Sequence, residues 1–259
     1  MVSTDRAWAP VQVADDLAVL TLDNPWSAGE AHYLYHEIFT HDDYLAGLPP
    51  LRPDAVVVDA GANIGLFAIR VARACPHARI VAIEPAPATC ALLRRNLAEE
   101  RLDGVTVHEV ALGARPGRVT LTVYRNLLAN STTRPAEKPA EWTAATRALE
   151  SDPAQAAAMV GTEDVEVDVV PLSTLLPADG SVVDLLKVDV EGAELDAMRG
   201  LAPADWPRVA AVVAEVHDVD GRLAEVLDLL QANGFRCDTR APAMMAAELR
   251  HHIVVARRP

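Results

Sequence analysis

The sequence predicts an α/β protein with a doubly wound, mostly parallel seven-stranded sheet, an N-terminal extension and an inserted segment. Three observations lead there. Short apolar runs such as AVVVDAG (55–61) and ARIVAIEP (78–85) are nearly continuous, as strands buried on both faces of a parallel sheet must be. Stretches of helical length separate them, the alternation expected of α/β folds. Successive runs also end on polar side chains, and open α/β sheets hold their ligands beyond the carboxyl ends of their strands.

Composition narrows the function classes. The 259 residues suit one large domain with an added segment, and a hydrophobic share of 51% supplies a sizeable core. A formal charge of −14 disfavours attraction to phosphate backbones, so nucleic acid is not an expected partner, whereas a tightly enclosed nucleotide stays compatible. Cys75, Cys90 and Cys237 are scattered and lack C-x-x-C spacing, which predicts buried reduced thiols rather than a disulfide frame or zinc site. MVSTDRAWAP has no apolar leader core and no stretch approaches the length of a membrane span. The expectation is a cytoplasmic protein without a membrane partner; nothing in the sequence indicates its oligomeric state.

Residues 11–22 (VQVADDLAVLTL) alternate apolar positions and predict a strand or small hairpin. In residues 30–48, Tyr33, Leu34, Ile38 and Leu45 fall at helical spacing, and Leu48-Pro49-Pro50 ends that helix. Residues 1–54 thus form an extension, expected to be part of a lid over the substrate, and 55–259 form the main domain. There the first strand at 55–61 leads into a helix over 64–75, stopped by Pro76. A second strand at 78–85 precedes a helix over 86–101, and a third strand runs through 105–112. GRVTLTVY (117–124) and the alternating DVEVDVVPL (164–172) predict extra strands within an insertion, 113–172. Between them, residues 125–162 are too long for an ordinary loop and predict a lid, an inserted helix or a mobile segment. The main pattern resumes with VDLLKVDVEG (183–192), a helix over 193–199 and VAAVVAEVH (209–217). A helix over 222–233 ends at Gly234, and FRCDTR (235–240) with HHIVVARR (251–258) close the sheet as an antiparallel pair.

The polar strand ends are Asp59, Glu84, Glu109, Asp189 with Glu191, and Glu215 with His217. Gathered on one rim, they predict one shared ligand site. VVVDAGANIGLF (56–67) sharpens it as an incomplete form of the dinucleotide fingerprint G-x-G-x-x-G. Gly61 matches the first glycine, Asn63 replaces the second, Leu66 replaces the third, and Gly65 sits one place early. The second glycine normally lets the backbone approach a pyrophosphate, and the Asn63 side chain occupies that space. Glu84, ending the second strand, can accept hydrogen bonds from two ribose hydroxyls. An adenosine cofactor without phosphates satisfies both features, which favours S-adenosylmethionine over NAD and methyl transfer over hydride transfer.

The segments VVVDAGANIGLF, IVAIEP, EVALG, LLKVDVEGAE and AEVH, in that order and spacing, resemble FkbM-type S-adenosylmethionine-dependent methyltransferases over residues 55–239. The upstream EAHYLYHEIF resembles the segment preceding this domain in relatives associated with polyketide and nonribosomal peptide assembly. The resemblance implies a Rossmann-like class I methyltransferase domain, and the insertion before the fourth main strand fits it too. It implies that Asp59, Gly61 and Asn63 hold the methionyl end, Glu84 the ribose, and the segment Glu109, Val110, Ala111 the border of the adenine. Gly65 and Pro85 complete the cofactor-binding set. LSTL (172–175) departs from the family, in which an aspartate commonly follows the leucine.

Methyl transfer to an alcohol needs an aligned acceptor and a group that takes its proton. His217 is the expected base, since it ends an apolar strand on the rim and imidazole titrates near neutrality. Glu215, two residues earlier on the same strand face, orients that imidazole or binds substrate. Asp189, the third catalytic candidate and also a cofactor residue, approaches the methionyl amine or the acceptor. Glu191, expected on the same strand face as Asp189, contacts substrate or caps the following helix. His32, Tyr35 and His36 share a helix face by i, i+3, i+4 spacing, either a lid face turned to the substrate or a surface face. Asp189, Glu215 and His217 have the chemistry of divalent-metal ligands, but no dense carboxylate motif demands a metal and none is expected. Met244-Met245 lines an apolar channel or makes an ordinary hairpin contact. The expected activity is O-methylation of a small-molecule hydroxyl on a secondary metabolite (polyketide, peptide or sugar-bearing), free or carrier-bound. N-methylation, an NAD-dependent oxidoreductase and a non-catalytic binding module are the alternatives.

Overall fold

The computed structural model of the chain describes residues 7–138, 153–245 and 249–259. Strands β1 (Trp8–Ala14) and β2 (Leu17–Leu22) form an antiparallel hairpin, followed by helix α1 (Pro25–Tyr35). The start of α1 has a local cause. The Asn24 side chain accepts the Ser27 amide, and Pro25 occupies the first turn, where its missing N–H is no loss. The helix then widens into a π turn over His36–Thr40, which buries Glu37 and Ile38. The expected helix over 30–48 is corrected at both ends. Its true start is the Asn24-Pro25 cap, and beyond the π turn the chain is irregular, with Asp42 at φ 57°.

The main domain runs β3 (Val56–Ala60), α2 (Leu66–Ala74), β4 (Arg79–Ile83), α3 (Pro87–Glu99) and β5 (Val105–His108). Next come β6 (Ala111–Leu112), β7 (Gly117–Tyr124), α4 (Pro153–Met159) and β8 (Thr162–Val170). The chain closes with β9 (Leu185–Val188), α5 (Glu194–Arg199), β10 (Ala211–His217), α6 (Arg222–Ala232), β11 (Arg236–Arg240) and β12 (His251–Arg257).

Seven strands form the main sheet in the order β11-β12-β10-β9-β3-β4-β5. Only β12 runs antiparallel to its neighbours, so the final strand inserts between β10 and β11. The doubly wound α/β class is observed as expected. The third strand is corrected: it stops at His108, and Ala111–Leu112 joins β8 and β7 in a separate three-stranded sheet. The continuous strand-like window VTVHEVAL hides that switch, because the pairing partner β8 arrives only about fifty residues later, within the insertion. The expected strand 183–192 is likewise shorter, since Glu191 and Gly192 turn away at φ 54° and 100°. Asp189 and Glu191 therefore do not share a strand face. Within 125–162, residues 139–152 lie outside the described set; Leu128–Asn130 and Pro135–Glu137 are single 3-10 turns. Cys75 and Cys90 are buried, Cys237 is half-buried, and all three are free thiols. Among the described residues no helix is long and apolar enough to cross a membrane.

Strand alternation divides the core between the two sheet faces. Val57, Leu185, Val213 and Ile253 pack on one face, while Val58, Leu186, Val212 and Val254 pack on the other. Asp59 lies directly opposite Lys187 in the β3–β9 register, and His217 opposite His251 in the β10–β12 register. With a period of two, Asp59, Lys187, Glu215, His217 and His251 all fall on the face of Val57. That polar row ends an otherwise apolar surface.

Candidate active site

Strand order reverses between β3 and β9, and beyond that point lies a cavity of about 620 Å³. This is the size range of small-molecule sites. The glycine turn forms part of its floor. Gly61 has φ 82°, and a Cβ there would stand 1.7 Å from the Asp189 carbonyl oxygen, so only glycine lets the exits of β3 and β9 approach. Gly65 opens α2 at φ 98° against Leu93 and stays out of the cavity wall. Asn63 takes the left-handed conformation at φ 48°, with its Oδ1 accepting the Ile64 amide at 2.5 Å.

Glu84 braces this turn. Its two carboxylate oxygens accept the Asn63 amide at 3.0 Å and the Ala86 amide at 2.9 Å. Burial raises its pKa to about 7, against the pull of those two amides. Pro85, Val110 and Ala111 continue the wall beside it.

The opposite side is crowded with charge. Lys187 Nζ lies 3.2 Å from Asp59, 3.4 Å from Asp189 and 2.9 Å from the Gly61 carbonyl, to which it donates. Burial works against the ammonium, but the Asp59 and Asp189 carboxylates raise its pKa overall. Tyr44 Oη lies 2.9 Å from Asp189 Oδ2 and 3.2 Å from Glu215 Oε2, so a single phenolic proton serves two carboxylates. Glu37 stands in the same wall, only 4% exposed, and its carboxylate accepts no hydrogen bond among the described residues. Burial, then Glu215 and Asp189, push its pKa well above the carboxylate range. Glu30 accepts the Ala129 amide at 3.0 Å, and burial raises its pKa to about 8. Glu30, Glu37, Glu84, Asp189, Glu191 and Glu215 thus surround the cavity, against one cationic side chain among the described residues, that of Lys187.

The structure brings Gly61, Asn63, Glu84, Pro85, Ala111, Asp189, Glu191 and Glu215 together on this wall. Other expected residues are placed elsewhere. Asp59 is fully buried behind Lys187 and does not reach the wall. Glu109 is exposed and pairs with Arg94 at 2.7 Å, because β5 ends one residue earlier and the chain turns outward. His32 and His36 are exposed, His36 Nδ1 lies 3.2 Å from Thr40 Oγ1, and Tyr35 stacks on Phe39 at 4.7 Å. The expected substrate face of α1 is therefore corrected: Trp26, Glu30, Tyr33, Leu34 and Glu37 line the cavity instead. Met244 and Met245 also line it.

His217 lies one pleat beyond Glu215 and so past the wall, in a second cavity of about 270 Å³ that includes His251, Glu191 and Lys138. Its ring stacks on His251 at 3.8 Å. Burial, then the neighbouring His251, Lys138 and Arg222, lower its pKa well below the usual imidazole value. Sequence reasoning missed Glu37, Tyr44 and Lys187. Only Lys187 carried a signal, a lone charge inside the apolar run LLKV.

The family profile described as Methyltransferase FkbM domain matches residues 59–237. Over 250 residues the chain is 34% identical to Methyltransferase 1 of Beauveria bassiana, covering 96% of this chain and 97% of that one. Over 239 residues it is 37% identical to the 31-O-demethyl-FK506 methyltransferase FkbM of Streptomyces tacrolimicus, covering 89% and 92%. Among solved structures, methyltransferase FkbM from Methylobacillus flagellatus matches in fold with a TM-score of 0.52 at 16% identity. That match covers 90% of this chain and 56% of that chain.

Proposed function

Because the chain belongs to the FkbM family of S-adenosylmethionine-dependent methyltransferases, we propose that it methylates a hydroxyl oxygen of a small metabolite with an apolar body. The residues present fit the cofactor. A cavity walled by six carboxyl groups and, among the described residues, one ammonium suits a cationic ligand, whose charge would favour ionising the carboxyls that burial holds neutral. Glu84 keeps acceptor capacity beyond its two amide bonds. S-adenosylmethionine, when bound, supplies a methyl group activated by a sulfonium. Glu84 would hold the ribose hydroxyls, Val110 and Ala111 the adenine border, and the turn at Gly61 and Asn63 the methionyl end. Lys187, held by Asp59, fixes the position of Asp189 beside that turn.

The single observation that carries oxygen as the acceptor is Glu37. Buried in the cavity wall without a hydrogen-bond partner among the described residues, Glu37 is held neutral in the ligand-free protein. The sulfonium charge of bound S-adenosylmethionine would favour its ionised form, which is then suited to take a hydroxyl proton. His217, outside this wall, is replaced in that role. A hydroxyl proton passes to a Glu37 carboxylate oxygen, while Asp189 and Glu215, linked through Tyr44, accept hydrogen bonds that orient the acceptor. Trp26, Leu34, Ile38, Leu128 and Met245 exclude water around it. The name of the Streptomyces relative, an O-demethyl substrate methyltransferase, agrees with this reading.

The test is product analysis. Apolar metabolites bearing either a hydroxyl or an amine on the same skeleton are incubated with methyl-labelled S-adenosylmethionine. Methyl ethers are expected; methylation confined to the amines would overturn the choice of oxygen.

A further inference from the structure

We propose that Glu215, His217 and His251 form a binding site for a divalent transition-metal ion. Their ligand atoms, one from each residue, all lie within 4.8 Å of one another. The three residues are 5%, 5% and 6% exposed, so the group sits in the protein interior rather than on a solvated surface. Its placement follows from strand register. His217 and His251 are direct cross-strand partners in β10 and β12, and Glu215, paired with Ile253, is the diagonal neighbour of His251. All three project from one face of a rigid central sheet, the kind of support a metal site needs.

The distances agree with this use. Glu215 Oε1 and His251 Nδ1 are 3.0 Å apart, and the two rings stack at 3.8 Å with an interplanar angle of 21°. Around a tetrahedral ion with bonds of about 2.0–2.1 Å, ligand atoms stand roughly 3.3 Å from each other, close to the Glu215–His251 separation. The stacked rings would have to rotate out of parallel for both in-plane lone pairs to converge on the ion. The Glu215–His251 contact alone needs one imidazole; the metal reading also uses the second. Two nitrogens and one oxygen favour zinc or iron over magnesium or calcium, which take oxygen ligands. His217 and His251 also line the smaller cavity, where Glu191 Oε2 lies 3.8 Å from His217 Nε2. This site does not depend on which acceptor is methylated.

The experiment uses the full chain, stripped with a chelator and then titrated separately with Zn²⁺, Mn²⁺ and Co²⁺. One equivalent of ion is expected to bind, with Co²⁺ giving visible absorption bands and Mn²⁺ broadening the ring signals of His217 and His251 first. Glu215→Gln and His251→Ala should weaken binding on the order of 100-fold, while His32→Ala/His36→Ala should leave it unchanged. No saturable binding of any of the three ions, or equal binding in the variants, would overturn the proposal. If a variant does not fold, Mn²⁺ broadening in the unaltered chain still decides: broadening centred on other residues overturns it as well.

Discussion

The cavity has two halves built on different principles. Beyond β3 and β4 the structure is held locally: Glu84 takes the amides of Asn63 and Ala86, and the turn is set by positive φ at Gly61, Asn63 and Gly65. Between α1 and the ends of β9 and β10, three carboxyl groups crowd around one phenol and one lysine, and Glu37 has no hydrogen-bond partner among the described residues. The first half is a matter of shape. The second carries unbalanced charge, as sites that bind cations and move protons do. Preorganised geometry and poised chemistry are thus held by different segments of one chain.

The strongest challenge to that contrast is Glu37→Gln. Turnover should fall by about 10²–10⁴-fold with cofactor affinity nearly retained, since only the proton acceptor is removed. Single-turnover kinetics with calorimetric cofactor binding would check it, and near-normal turnover would return the role to Asp189 or Glu215. Gly61→Ala should strike the other half. A Cβ cannot coexist with the Asp189 carbonyl at 1.7 Å, so a loss of about 3 kcal/mol is expected in urea unfolding, together with weaker cofactor binding.

Titration should separate the halves again. Glu84, at about 7, and Glu37, raised well above the usual range, prefer the neutral form in the folded state. For a carboxyl with a raised folded pKa, stability is full below the unfolded value of about 4.5 and is lost as pH climbs through the folded value. The melting temperature of the ligand-free protein should therefore decline between about pH 5 and pH 8. Glu37→Gln should flatten that decline more than Glu84→Gln, because Glu37 also meets Glu215 and Asp189. The smallest effect belongs to Glu109→Ala. It removes an exposed pair with Arg94, so stability should change by less than about 0.5 kcal/mol and cofactor affinity should not change.

Much of the first half was legible in the sequence. The turn at Gly61–Asn63, the acid ending the second strand and the apolar strand runs lie within thirty residues of one another, so their spacing can be read from the chain alone. The second half was only partly legible. Asp189 and Glu215 were found as strand ends, but Glu37 and Tyr44 were not, and His217 was placed on the wrong side of the wall.

What the sequence by itself determined is the sheet, the cofactor turn and the class of chemistry, since these rest on local periodicity and on neighbours a few residues apart. What only the tertiary structure decided is which side chains share the cavity. Tyr44 meets Asp189 and Glu215 across 145 and 171 residues of chain, and the π turn after α1 selects Glu37 over His36. Whether a strand-end residue faces the ligand depends on register and on one pleat, quantities that no local pattern encodes.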